Sequence, residues 1–377
     1  MRIIGAQVFT GHRFEPLDVH IEKGRISKLT SASAAKGSAE DFDARGCYLI
    51  PGMIDLHTHG YGGMDVMQGE EAIRHMARGL ASHGVTAFLP TTVCATAEDT
   101  RAALRATRAV AQSPQSGAIA LGSHMEGPFC NPARAGAQPP ECMYPPSLDW
   151  LMEVCDGDPR VIKMLTIAPE LPGAEAVCRA LAGRAILSAG HTDATAEQLL
   201  TAAQWSVSHI THLFNGMNPL HHRQPGVAGA ALSDERFSVQ LIADLVHLHP
   251  AILKLVSAAK GPDRCVLISD AMMATDLSDG QYSLGGGVPT IVKDGVARLP
   301  KGNLAGSTLT LDRALRNMIL SVGIAPQDAV RMASVTPALL LGDPERGHIA
   351  PGARADLALF DDTWSIVRTW VEGECFT

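Results

Sequence analysis

The chain has 377 residues, of which 46% are hydrophobic and 19% are charged, and its formal net charge is −8. This composition is typical of a globular protein with a large core, and the acidic charge argues against nucleic acid or an anionic membrane as the main partner. Because the eight cysteines form no C-x-x-C pair and no run of 18 apolar residues is present, we expect a cytoplasmic protein with reduced thiols.

The two ends of the chain share one pattern. Residues 1 to about 48 contain short pieces in which apolar and polar residues alternate, which predicts short antiparallel strands, with a loop from Ser31 to Ser38. The pattern returns in Asp356–Phe360 and Ile366–Val371. We therefore predict a small β-sandwich domain built from residues 1–48 and 351–377.

Between these ends, strand-like runs alternate with helix-like runs. The predicted strands are Leu49–His57, Val85–Pro90, Ala118–Met125, Val161–Ala168, Ala185–Ala189, Val207–Leu213, Val239–Leu245 and Cys265–Ser269. The predicted helices include Glu70–His83, Ala97–Ala111, Ala174–Leu181 and Thr195–Gln204. Eight strands alternating with helices predict a (β/α)8 barrel over residues 49–350. A doubly wound open sheet is the alternative, but it gives no reason for polar residues to gather at so many strand ends.

Metal-binding residue types follow the ends of several predicted strands. His57 and His59 have the i, i+2 spacing that puts both rings on one face of a strand. The other strand ends carry Glu126, His191, His212, Asp244 with His247, and Asp270. The mouth of a parallel barrel would bring these groups together, and histidine with carboxylate is the donor set of zinc, iron or manganese.

Each of these residues also has a plainer interpretation. A lone His-x-His pair can place one ring in the core and the other on the surface, and His191 could serve in a turn. On a strand, His209 and His212 would face opposite sides, so we interpret His209 as structural. We expect His124 to support the site, Asp244 to be a possible partner of a site residue, and His75 and His83 to be surface residues.

The motifs resemble a known family. PGMIDLHTHG at residues 51–60 resembles the first-strand signature of the amidohydrolase superfamily. Further segments resemble the N-acetylglucosamine-6-phosphate deacetylases within it: HMEGPF at 124–129, AGHT at 189–192, THLFNGM at 211–217, RQPG at 223–226, ISDA at 268–271 and LAGS at 304–307. GHIAPGARADL at 347–357 resembles the superfamily's return into its small β domain.

The resemblance implies a role for each matching residue. It makes Glu126, His191 and His212 metal ligands and Asp270 the catalytic carboxylate. It also implies that His57 and His59 hold a second ion, because some members lack this pair and bind one metal. The implied substrate contacts are His247, Asn215, Gly216 and Arg223, with Gln138 where some members have a histidine. The implied cofactor is one or two divalent ions of zinc, iron, manganese or cobalt.

The activity implied by the resemblance is hydrolysis of the acetamide of N-acetylglucosamine 6-phosphate in amino-sugar catabolism and cell-wall sugar recycling. A homodimer is also implied, in which Arg223 reaches the phosphate across the interface. The alternatives are the galactosamine epimer as substrate, a cyclic-amide hydrolase with a carboxylated lysine at the end of strand four, and a non-catalytic homologue, which would have lost ligands. The sequence contains no Gly-x-Ser-x-Gly motif, so we do not expect a covalent acyl-enzyme.

Overall fold

The structure is a computed structural model in which residues 1–32, 38 and 41–376 are described, so the predicted loop from Ser31 to Ser38 lies mostly outside the described residues. The strands are β1 Arg2–Phe9, β2 Phe14–Glu22, β3 Arg25–Ser31, β4 Phe42–Asp43, β5 Tyr48–Pro51, β6 Met53–Thr58, β7 Gly60–Tyr61, β8 Met64–Asp65, β9 Val85–Pro90, β10 Ile119–Ala120, β11 Ser123–Glu126, β12 Ile162–Ile167, β13 Ile186–Ala189, β14 Val207–Ile210, β15 Ser238–Ile242, β16 Cys265–Ile268, β17 Gly280–Leu284, β18 Val288–Lys293, β19 Val296–Arg298, β20 Leu357–Phe360, β21 Ile366–Val371 and β22 Glu374–Phe376. The helices are α1 Glu70–Ser82, α2 Ala97–Ala111, α3 Leu148–Val154, α4 Ala174–Leu181, α5 Ala196–Ala202, α6 Gly226–Ser233, α7 Pro250–Lys260, α8 Leu311–Asn317, α9 Pro326–Val330 and α10 Thr336–Leu341. Within the described ranges, no helix combines the length and the apolar character needed to cross a membrane.

The two chain ends form one sheet, as predicted. Its strand order is β22-β21-β20-β5-β1-β2-β3, with β4 beside β1. Most neighbours are antiparallel, but β1 pairs parallel with β4 and with β5, so the prediction of antiparallel strands throughout is wrong. Strands from both halves of the sheet contribute to a shared core that contains Ile3, Val19, Leu357 and Trp370. The predicted small β domain is therefore a single sheet from both chain ends, with a hydrophobic core of its own.

The central region is the predicted (β/α)8 barrel. Strands β10, β9 and β6 form one parallel sheet, and β11 to β16 form a second one in sequence order. Parallel bridges between Thr91 and His124 and between Thr58 and Ala271 join the two sheets into a ring. The strands of this ring read as continuous apolar runs because helices cover their outer faces. Helix α5 begins with a capping box between Thr195 and Gln198.

Several predicted strands are too long or were joined incorrectly. The run Leu49–His57 is two strands, because the backbone N–H of Gly52 donates to Asp356 O while that of Met53 donates to Gly84 O. The chain thus passes from the terminal sheet into the barrel at Gly52. The run Ala118–Met125 is likewise divided between β10 and β11.

The sixth and seventh predicted strands end earlier than expected. Strand β14 stops at Ile210 and β15 at Ile242. His212 and Asp244 therefore belong to the loops that follow these strands. The interpretation of His212 as a strand residue facing away from His209 is wrong for this reason.

Candidate metal centre

The C-terminal ends of the barrel strands open into a cavity of about 350 Å³. It is lined by His59, Glu126, Gly136, Ala137, Gln138, His191, His212, Phe214, Asn215, Gly216, His247, Asp270, Leu284, Asn303, Leu304 and Gly306. Most of the residues singled out in the sequence are in this set. His57 is fully buried in contact with His59, and Arg223 is not among the lining residues.

Three of the six candidate ligands follow their strands at the same distance. His191, His212 and Asp270 each lie two residues beyond the end of β13, β14 and β16. Their φ angles are 45°, 26° and 49°, a left-handed conformation that side chains other than glycine rarely adopt. Such a residue costs about 1–3 kcal/mol and persists where the surroundings fix it, as at binding sites. Glu126 is the last residue of β11, and His57 lies within β6.

The six side chains form two buried groups, and Glu126 belongs to one of them and contacts the other. One group is His57, His59 and Asp270, and the other is Glu126, His191 and His212. Within the second group, Glu126 Oε1 lies 3.0 Å from His212 Nε2 and 3.3 Å from His191 Nε2. Oε2 of the same carboxylate lies 3.3 Å from His59 Nε2 in the first group. Asp270 Oδ1 completes the first group at 3.2 Å from His59 Nε2.

The outer nitrogen of each histidine contacts an oxygen acceptor. His57 Nδ1 lies 3.1 Å from Gln240 Oε1, and His59 Nδ1 lies 3.1 Å from Thr91 O. The acceptors for the other two rings are Arg134 O for His191 at 3.0 Å and Asn215 O for His212 at 3.1 Å. Neutral rings held in this way carry their proton on Nδ1 and turn the Nε2 lone pair inward, as metal-bound histidines do.

These inward lone pairs fit a metal ion. The Nε2 atoms of His57 and His59 are 3.1 Å apart, and those of His191 and His212 are 3.2 Å apart. Two lone pairs at this distance repel each other unless a cation or a proton lies between them. Tetrahedral ligands at about 2.0–2.1 Å from one ion are separated by roughly 3.3 Å, close to the observed spacing.

The charges of the site also call for a cation. Burial opposes ionisation of Glu126, but the neighbouring His57 and His191 outweigh it and hold the pKa of Glu126 well below its usual range. Asp270 responds in the same way, and the nearby His57 and His59 lower its pKa to about 2 despite burial. In return, Glu126 outweighs burial and raises the pKa of His191 to about 9. Two buried carboxylates that stay ionised beside these rings favour a bound cation.

The cavity wall around these groups is held in place by short contacts. Asp244 Oδ2 lies 2.7 Å from His247 Nδ1, which matches the expected pairing and leaves the other ring nitrogen of His247 unengaged by this carboxylate. Gly216 packs against His191, where a Cβ atom would lie 2.9 Å from its Nδ1. Its φ of 59° also favours glycine.

Arg223 lies outside the cavity of this chain. It is on the exposed loop before α6, and its Nη1 lies 2.7 Å from His222 Nε2. Among the described residues that line the cavity there is no lysine or arginine.

The plainer interpretations fit some histidines and not others. His209 is buried with its Nδ1 2.6 Å from Ser238 Oγ, and His124 Nε2 lies 2.7 Å from Thr166 Oγ1. The expectation of a surface position for His83 is wrong, because its ring lies between Asp276 and Asp312 with 16% of its side chain exposed.

Gln240 and Asp55 support the candidate ligands from outside, and neither was predicted from the sequence. Gln240 accepts from the His212 backbone N–H at 3.2 Å in addition to its contact with His57. Asp55 is fully buried and accepts at 2.5 Å from the Oγ of Ser269, the residue before Asp270. Both are polar residues inside otherwise apolar strands. This pattern indicates an interior polar partner, because a buried polar side chain has to be hydrogen-bonded.

Comparisons with known proteins agree with this geometry. A sequence model of the amidohydrolase family matches residues 48–375. The N-acetylgalactosamine-6-phosphate deacetylase of Escherichia coli O157:H7 is 38% identical over 86% of this chain and 87% of its own length. The N-acetylglucosamine-6-phosphate deacetylase of Bacillus subtilis is 37% identical over 94% of this chain and 91% of its own.

A solved structure extends the similarity to the whole fold. An aspartate-to-alanine mutant of the Mycobacterium smegmatis N-acetyl-D-glucosamine-6-phosphate deacetylase, in complex with N-acetyl-D-glucosamine-6-phosphate, superposes with a TM-score of 0.93. It is 33% identical, and the match covers 100% of this chain and 99% of the other. The chain belongs to the amidohydrolase family, and within it to the deacetylases of N-acetyl amino-sugar 6-phosphates.

Proposed function

We propose that this protein hydrolyses the acetamide of N-acetylglucosamine 6-phosphate and releases glucosamine 6-phosphate and acetate. The observation that carries the proposal is the pair of adjoining buried ligand groups, in contact through Glu126, at the floor of the cavity. The chain that holds them is 37% identical to a deacetylase of this sugar phosphate. The reaction belongs to amino-sugar catabolism and the recycling of cell-wall sugars. A cytoplasmic location agrees with eight free cysteines.

Two sets of residues are proposed to hold divalent ions. His57, His59 and Asp270 form the first group, and Glu126, His191 and His212 form the second. Nitrogen and carboxylate donors suit zinc, iron, manganese or cobalt. When bound, such an ion supplies a nucleophile near neutral pH by lowering the pKa of a water molecule, and it polarises the amide carbonyl.

Asp270 is proposed as the proton carrier. Its side chain lines the cavity and keeps 10% of its surface exposed, whereas the other carboxylate, Glu126, is 2% exposed. A positioned carboxylate can take the proton of the attacking water and return it to the departing amine, a role worth about 10²–10⁴-fold in rate. Asp270 is therefore the group we expect to act in both proton transfers.

The sugar is proposed to lie against the far wall of the cavity. His247, held by Asp244, and Gln138 supply polar groups for hydroxyl and carbonyl contacts. Asn215 and Gly216 form the loop proposed to receive the phosphate. Since the described lining residues include no lysine or arginine, a dianionic substrate needs a cation from elsewhere.

That cation is proposed to be Arg223 of a second subunit in a homodimer. The side chain is exposed on its own chain and does not line its own cavity. A guanidinium group offers two parallel donors to phosphate oxygens. The protein itself is acidic, which makes a placed cation more necessary.

The galactosamine epimer is the second candidate substrate, because the relative from E. coli O157:H7 that bears this name is 38% identical. The cyclic-amide alternative is less well supported. Lys163 lines a separate groove with Arg108, Asp158 and Arg160, away from the six ligands.

The test is a direct comparison of substrates. Purified protein is assayed for acetate release from the 6-phosphates of N-acetylglucosamine and N-acetylgalactosamine, and from unphosphorylated N-acetylglucosamine. We expect the largest kcat/KM with N-acetylglucosamine 6-phosphate. A higher value for the galactosamine epimer would identify the second candidate, and no release from either phosphate would refute the proposal.

A further inference from the structure

The amide of Gln138 joins Glu126 to the loop after β9. Its Nε2 lies 2.6 Å from Glu126 Oε2, and its Oε1 accepts from the backbone N–H of Cys94 at 2.8 Å. The side chain is buried, with 5% relative exposure. Both ends of the amide are therefore engaged inside the protein.

The orientation of this amide follows from its partners. The Cys94 backbone can only donate, so the oxygen of Gln138 has to face it. The NH₂ end then faces Glu126, where a carboxylate can only accept. Cys94 is itself held closely, because a Cβ atom at Gly127 would lie 2.3 Å from its Sγ. The side chain that donates to Glu126 is thus anchored at its other end on the backbone of Cys94.

The contact decides which way the Glu126 carboxylate faces. Oε1 is the oxygen nearest to His191 and His212, and it lies 3.4 Å from His57 Nε2. Oε2 faces His59 and the Gln138 amide. The last torsion of this carboxylate is intrinsically soft, and the Gln138 amide adds to the histidine contacts a hydrogen bond that opposes rotation about it.

We propose that Gln138 is a positioning residue that fixes the Glu126 carboxylate between the two ligand groups and so strengthens metal binding. The inference rests on the proposed function for the identity of the metal ligands. It differs from the substrate contact expected for Gln138, because in the structure the amide donates to Glu126. The second N–H of the amide could still meet a substrate, so a test must separate the two roles.

The test compares Gln138→Leu with the wild-type holoenzyme. Leucine keeps a similar volume and removes the donor. The measurement is the concentration of a chelator that strips half of the bound zinc from the purified protein, followed by metal analysis. Loss of such a supporting hydrogen bond typically weakens metal binding by 10–100-fold, and we expect a shift of about that size.

Gln112→Leu is the matched control, since Gln112 is exposed at the end of α2 and the chemical change is identical. It should leave the chelator profile unchanged. If Gln138→Leu does not fold, Gln138→Met provides an unbranched side chain without a donor for the same measurement.

An unchanged chelator profile in a folded Gln138 variant would overturn the inference, and a raised KM in that variant would then assign Gln138 to substrate binding alone. Zinc affinity is measured without substrate. A wild-type enzyme that binds zinc but releases no acetate would therefore refute the proposed function while the chelator comparison still decides the role of Gln138.

Discussion

Replacing Arg223 by alanine tests both the phosphate contact and the proposed dimer. A charged hydrogen bond contributes about 1.5–3 kcal/mol, and we expect its loss to raise KM for the phosphorylated sugar by roughly 10- to 150-fold. The slow reaction with unphosphorylated N-acetylglucosamine should barely change. The structure supports this because Arg223 is not among the residues that line its own cavity, so its removal should leave the ligand groups intact.

A mixed dimer shows whether Arg223 acts across the interface. Arg223→Ala and Asp270→Asn chains carrying different tags are co-expressed, and heterodimers are isolated through both tags. If Arg223 serves the neighbouring cavity, the Arg223→Ala chain retains its own Asp270 and receives the intact Arg223 of its partner. One of the two sites is then complete, and the heterodimer should show about half of the wild-type activity at substrate concentrations below KM.

The two homodimers are the controls, because each has the same defect in both of its sites. If Arg223 served its own cavity, every site of the heterodimer would carry one defect, and co-assembly would restore nothing. An active monomer would likewise refute the reasoning. Equal loss of activity on phosphorylated and unphosphorylated sugars would contradict the phosphate role, whatever the oligomeric state.

Three further predictions concern the centre and a distant ion pair. Asp270→Asn should lower turnover by several orders of magnitude while zinc stays bound to the second group of ligands, Glu126, His191 and His212, as metal analysis would check; turnover close to wild type would rule out Asp270 as the proton carrier. His191→Ala should remove bound metal and activity together with the circular dichroism of the fold retained, whereas full activity in metal-free protein would contradict the assignment. Burial opposes protonation of His83, but Asp312 and Asp276 outweigh it and raise its pKa above 6.5, so its contribution to stability should be complete below about pH 6.5 and be lost as the pH rises through the raised value. Urea unfolding between pH 6 and pH 9 should show this loss in the wild type and a smaller one in His83→Gln; parallel pH profiles would disprove it.

The barrel, and the meeting of most candidate ligands at its mouth, could be predicted because strand ends and residue type carry the information. A polar residue at or near the end of an apolar strand faces the mouth of the barrel, which is why His57, His59 and Glu126 could be identified. The sequence did not reveal the change of sheet at Gly52, where a Cβ atom would lie 2.2 Å from the side chain of Thr86. Strands buried on both faces lose their alternation, so two strands from different sheets read as one apolar run.

The position of Arg223 could be predicted only as far as its own chain allows. A single chain shows an exposed arginine on a loop, and its counterpart, a cavity without lysine or arginine among its described lining residues, appears only in the folded protein. Gln138 shows the opposite case. The sequence suggested a polar contact there, but the partner was expected to be a sugar, and the structure shows a bond to Glu126.

The alternation of side chains between the two faces of a strand gave a wrong interpretation for His212, but the same rule can be applied to Lys163. It failed for His212 because β14 ends at Ile210, and beyond a strand the alternation of faces no longer applies. It holds for Lys163, which lies inside β12. Met164 and Thr166 of that strand face the barrel interior, where they contact Gln240 and His124. Lys163 must therefore face outward, and it cannot reach the ligands without a shift of the whole strand by one residue. Glu126 thus has no competing lysine on β12 for the position between the two groups of candidate ligands.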